Sequence, residues 1–155
     1  MTIATFTQLP SGGDFRSIFS QSTGKAGFLL TAHDKAGIEH LLRNGGTRHA
    51  PNPPLLNGLL RHKLRTSCLA PEPAAPELVT SGCLVTYMIS GGGARTAELA
   101  LSHVPVPGRI LVASLLGATL LGMRKLQKVP LLREDGQIEA VVVLTVSQPP
   151  ELGAA

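Results

Sequence analysis

Five histidines (His33, His40, His49, His62 and His103) and two cysteines (Cys68 and Cys83) could ligate a metal or form a nucleophile and its base. Their spacing argues against a metal site. No two histidines stand as HxH, His33 and His40 are seven apart, and the cysteines are isolated, whereas zinc sites draw ligands from closely spaced pairs. The histidines read as solvated helix-surface residues. A Cys83–His103 nucleophile pair needs strands that bring the two together. Neither an orienting acid nor an oxyanion motif accompanies it. Cys83 sits in an apolar run and reads as a small hydrophobe. The glycine run SGGGAR at 90–95 lacks the Lys-Ser/Thr and helix start of a phosphate loop, and its position between two alternating segments makes it a turn. No catalytic residue, metal or cofactor is expected, and no small-molecule substrate.

Cations remain. Residues 33–65 carry Lys35, Arg43, Arg48, Arg61, Lys63 and Arg65 against Asp34 and Glu39. Arg43, Arg48, His49, Arg61, Lys63 and Arg65 are the expected basic surface. It is either a solvated face or an attraction for an acidic protein surface or nucleic acid. After Phe28 there is one aromatic residue, Tyr87, so single-strand binding by base stacking has little to work with.

The elements that must position these residues follow from periodicity. Ile38, Leu41 and Leu42 recur at helical spacing after Thr31 and Asp34, and Asn44-Gly45-Gly46 ends that helix. Leu55, Leu56, Leu59, Leu60 and Leu64 mark a second helix beyond the proline-bearing TRHAPNPP. The two read as a short antiparallel hairpin over 27–68, which must lean on something because two short helices bury little. LAPEPAAPE at 69–77 is a stiff linker and candidate boundary. Beyond it the period becomes two. CLVTYMI and RTAELALS alternate as strands, and Asp135-Gly136 marks a hairpin between strands at 127–132 and 138–146. The uncharged run ILVASLLGATLLGM at 110–123 contains a helix near Leu115–Leu121, with Leu116, Leu120 and Met123 directed at the sheet. Residues 1–26 read as a flexible arm containing Phe6, Phe15 and Phe19, and 152–155 as a tail.

The chain has 155 residues and a net charge of +4, from 14 basic and 10 acidic residues. That is a mild excess and not a polybasic tail. The apolar run is shorter than the ~20 residues a bilayer requires, with Pro105, Pro107 and Arg109 before it and Arg124 and Lys125 after it. The N-terminus lacks the basic and apolar regions of a secretory signal. No membrane partner is expected. Unpaired thiols suggest a cytoplasmic protein.

The stretch VASLLGATLLGMRKLQKVPLLREDGQIEAVVVLTVSQPPE resembles the C-terminal domain of the bacterial GreA/GreB transcript cleavage factors. It is closer still to the Rnk-type regulator of nucleoside diphosphate kinase. The family motif Ser-Pro-x-Gly-x-Ala-Leu-Leu-Gly falls on Ser114 to Gly122, and the final Gln-Pro-Glu on Gln148 to Glu151. Glu77-Leu78-Val79-Thr80-Ser81 resembles the start of the domain, and GFLLTAHDKAGIEHLLRN the opening of the Rnk type. Two departures matter: Leu115 replaces the motif proline, and Leu126-Gln127 replaces the Gly-Asp step that follows the motif. The resemblance implies an α+β fold, a short N-terminal antiparallel helical hairpin followed by an FKBP-like antiparallel sheet domain (77–151) with one packed helix. It further implies a transcription elongation factor that docks on RNA polymerase near the secondary channel. Ala113, Ser114, Leu115, Leu116 and Gly117 would lie at the docking surface, and the hairpin would approach nucleic acid only indirectly. In that family, acidic residues at the hairpin tip hold the magnesium ion used in RNA cleavage. Here the tip, NGGTRHAPNPP, has no carboxylate, while Mg²⁺ takes hard oxygen ligands. At about eleven residues per helix the hairpin reaches only ~16 Å. Binding without cleavage is therefore expected. A diverged interaction module with a non-polymerase partner is the alternative. Prolyl isomerisation, although the implied fold is shared with isomerases, lacks an aromatic wall, since Tyr87 stands alone.

Overall fold

The local signals at the helix ends act as their chemistry dictates. Helix α1 (Ala32–Arg43) starts at Thr31, whose hydroxyl accepts the Asp34 N–H at 3.1 Å. It stops at Asn44, after which Gly45 adopts φ +67°. Helix α2 (Pro53–Thr66) starts at Asn52, whose side chain accepts the Leu55 N–H at 3.3 Å, and opens on two prolines, where a missing N–H costs nothing. The computed structural model describes residues 27–148. The arm expected at 1–26, the ending Pro149 to Glu151 and the tail 152–155 lie outside the described residues.

Strands β1 (Leu29–Leu30) and β2 (Cys68–Leu69) pair in parallel, so the chain enters and leaves the two helices side by side. The main sheet has the order β5-β4-β3-β7-β6, built from β3 (Leu84–Ile89), β4 (Arg95–Ala100), β5 (Arg109–Leu111), β6 (Lys128–Leu132) and β7 (Ile138–Ser147). Its neighbours are antiparallel except β4–β5, an edge pair that runs parallel because the loop 101–108 carries the chain back along β4. The hairpin turn between β6 and β7 falls at Asp135-Gly136, with Gly136 at φ +88° and Arg133 N–H on Gln137 O at 2.9 Å. Helix α3 (Leu115–Leu120) follows β5 directly. Ile38, Leu56 and Leu60 from the first two helices share one buried cluster with Val85 and Val143 of the sheet and Leu120 of α3. The helices therefore lean on the sheet.

A buried carboxylate fastens that junction. Asp34, 1 % exposed, accepts the Ser81 hydroxyl at 2.6 Å and the Ser81 N–H at 3.2 Å, which ties the start of α1 to the approach to β3. Asp34→Ala leaves both donors without their acceptor. It is expected to cost about 2 kcal/mol, read from the denaturation midpoint.

Leu126 is the one non-glycine residue with positive φ among the described residues, at +69°. It stands where the resembled motif carries glycine. An L side chain in this region is strained by ~1–2 kcal/mol, and the Leu126 side chain, 67 % exposed, recovers little by packing. The next residue still supports the turn, because Gln127 accepts the Arg124 N–H at 2.9 Å. After allowing for the unfolded-state entropy of glycine, Leu126→Gly is expected to raise stability by about 1 kcal/mol. An unchanged or lowered melting temperature would refute the strain.

Candidate functional site

Exposed cations gather on α1, α2 and the segment between them. From residue 40 through residue 71 the chain contains no Asp or Glu. Arg43, Arg48, His49, Arg61 and Arg65 are all exposed. Arg43 and Arg61, on facing helices, line a shallow groove with Leu42 and Glu39. A second concavity lies at the end of α1, where His40, Asn44, Arg48 and His49 meet His103 from the β4–β5 loop. The contact between that loop and α1 is close, since a methyl group at Gly37 would overlap the Leu101 side chain.

Lys63 does not belong to this surface. It is 2 % exposed, and its ammonium donates to the carbonyls of Ala118, Thr119 and Leu121 at 2.5, 2.9 and 2.6 Å. Those carbonyls close the C-terminal end of α3, which a helix leaves without internal partners. The Phe28 ring covers the same nitrogen, with its centroid 4.1 Å away. Burial lowers the Lys63 pKa well below the usual lysine range. His62 is also buried. The spacing carried the signal: Lys63 follows Leu59 by four residues and Leu60 by three, on the buried stripe of α2. Asp34 likewise precedes Ile38 by four on that of α1.

The run expected at a docking surface is mostly interior. Ala113, Leu115 and Gly117 are buried, and Ser114 and Leu116 are half-buried. Ser114 is the N-cap of α3: its hydroxyl donates to Leu111 O at 2.6 Å and accepts the Gly117 N–H at 3.1 Å. This draws the turn down onto β5. Of the three residues whose spacing directed them at the sheet, Leu120 and Met123 are fully buried and Leu116 is half-buried.

Cys83 is buried, and desolvation pushes its thiol pKa up, which disfavours the thiolate a nucleophile needs. His103 is exposed at the end of α1. Cys68 is exposed in β2. Among the described residues no group of three His, Cys, Asp or Glu is arranged to hold a metal ion, and no helix is long and apolar enough to cross a membrane.

No protein-family model matches this chain, and no curated protein matches it. Solved structures do. The GreA factor homolog 1 proteins of Thermus thermophilus and Thermus aquaticus give TM-scores of 0.36 and 0.37 at 15% and 14% identity. The alignments cover 77% and 78% of this chain, and 98% of each of those chains. The prokaryotic transcription elongation factor GreA/GreB from Nitrosomonas europaea gives a TM-score of 0.54 at 19% identity, over 77% of this chain and 98% of that one. Over that aligned 77% of its length, this chain therefore shares the fold of the GreA/GreB structure.

Proposed function

We propose that this chain is a non-enzymatic bacterial transcription regulator of the Rnk type, which binds RNA polymerase near the secondary channel and does not cleave the transcript. The observation that carries the reading is a carboxylate-free connection between the two helices, residues 44–54, on a fold shared with a transcription elongation factor. In this reading α1 and α2 act as the short hairpin and the main sheet as the FKBP-like docking domain. The segment from Asn44 to Pro54 offers Arg48 and His49 where cleavage would need carboxylates to hold Mg²⁺. The groove of Arg43 and Arg61 meets an acidic surface of polymerase. Of the run 113–117, Ser114 and Leu116 retain surface to add to the contact.

Binding of the purified protein to core RNA polymerase at low salt tests this. The double variant Arg43→Glu, Arg61→Glu is expected to weaken binding at least ~10-fold, and added salt to weaken the unmodified protein progressively, because exposed charges are screened. Stalled elongation complexes should yield no shortened transcripts beyond those polymerase makes alone. No binding by the unmodified protein would overturn the proposal and turn the search to a non-polymerase partner of the same scaffold.

A further inference from the structure

We propose that the concavity at the end of α1 is a binding site for a phosphate group, formed by Arg48, His49, His103 and His40. These side chains come from three separate places: the last turn of α1, the segment leading to α2, and the β4–β5 loop. Convergence of this kind gives a ligand contacts on several sides at once, which a solvated helix face does not.

Arg48 is already positioned. Its backbone N–H and its side-chain Nε both donate to Gly45 O, at 3.2 and 3.3 Å. Its guanidinium lies over Gly45, where an added methyl group would sit 3.5 Å from the terminal nitrogen. With Nε so engaged, the two terminal nitrogens are left to form the paired bonds that an arginine makes to an oxyanion. Asn44 holds the neighbouring imidazole, with Nδ2 3.0 Å from the His40 ring nitrogens.

The sign of the charge selects the ligand. No carboxylate lines the concavity. Glu39, next to His40 in sequence, lines the other groove with Arg43 and Arg61. A cation would meet Arg48. A planar carboxylate could face the guanidinium but would leave the imidazoles on the other sides unused. A tetrahedral oxyanion, with oxygens pointing in several directions, accepts from Arg48, His49 and His103, while His40, turned to the Asn44 amide, forms the wall behind them. The chemical class is thus a phosphate group, either free or at the end of a small ester, or within a nucleic-acid backbone.

Titration of the full chain with inorganic phosphate, followed through the histidine ring proton signals, tests this. Saturable shifts at His49 and His103, absent with chloride at equal ionic strength, are expected. Arg48→Gln should weaken the response at least ~10-fold, and His103→Gln should weaken it as well. Both side chains are exposed, so the fold should tolerate the changes. A single-stranded oligonucleotide without terminal phosphates forms the second arm. If it competes with phosphate the backbone is a source of the ligand, and if it does not the site takes free or terminal phosphate. Phosphate shifts that grow linearly without saturation, or an Arg48→Gln variant that responds like the parent, would overturn the proposal. Polymerase enters neither arm, so failure here leaves the polymerase reading intact.

Discussion

Lys63→Met is expected to destabilise the protein by about 3 kcal/mol, a fall in melting temperature on the order of 10 °C. Methionine keeps most of the stem volume, so packing against α3 changes little. What disappears is the group that satisfies three carbonyls at once, those of Ala118, Thr119 and Leu121. All three belong to buried residues at the end of α3, and each orphaned acceptor costs ~1–3 kcal/mol. Relief from burying an ammonium offsets part of that, which is why the expected loss is smaller than the sum. Lys63→Ala should be worse still, because it also opens a cavity beside Phe28.

The same residue makes stability depend on pH in a direction that can be worked out. Its pKa in the folded protein lies below the unfolded value of about 10.4. Between the two values the unfolded chain holds more protons than the folded one, so stability must rise with pH there. The difference between the parent and Lys63→Met removes the contribution of every other group. That difference should widen as pH is raised from neutrality toward 10. A narrowing would mean that the three carbonyls and the Phe28 ring outweigh desolvation.

Lys63 also shows where reading the sequence fails and why. The ends of α1 and α2, the turn at Asp135-Gly136 and the alternation of β3 rest on local chemistry, and local chemistry is visible in a single chain. Arg43, Arg48, His49, Arg61 and Arg65 were legible as surface because nothing in the stripes of apolar residues claims them. Lys63 and Asp34 are charged residues on those stripes. Residue type says surface and position says core, and only the partner, a helix end 55 residues onward or a serine 47 residues onward, decides between them. Likewise the apolar run 110–123 was legible as a short helix on the sheet. Whether Ala113–Gly117 faces out depended on Ser114 bonding to Leu111 O, a tertiary choice with no periodic signature. The meeting of His103 with Arg48 is of the same kind, since it depends on how the β4–β5 loop lies against α1.

Gly117→Ala should cost about 3 kcal/mol, near the upper end for overpacking, because nothing around it can yield cheaply. A Cβ at this position would overlap the carbonyl of Leu111 and sit 3.0 Å from the Val112 Cα. Both are main-chain atoms of the segment leaving β5, so no rotamer change relieves the contact. The only relief is to lift α3 from the strand. That movement strains both its ends, the Ser114 cap at the start and the Lys63 bonds at the finish. Alanine is otherwise the better helix residue by ~1 kcal/mol, so intrinsic propensity and steric contact predict opposite signs. A stabilised Gly117→Ala variant would show that α3 does not press on Leu111. If the press is real, the penalty should also be non-additive with Lys63→Met, since a helix already released at its end can tilt away from β5. The double variant should then lose less than the two single losses combined, by ~0.5 kcal/mol or more. A strictly additive pair would mean that the two ends of α3 yield independently.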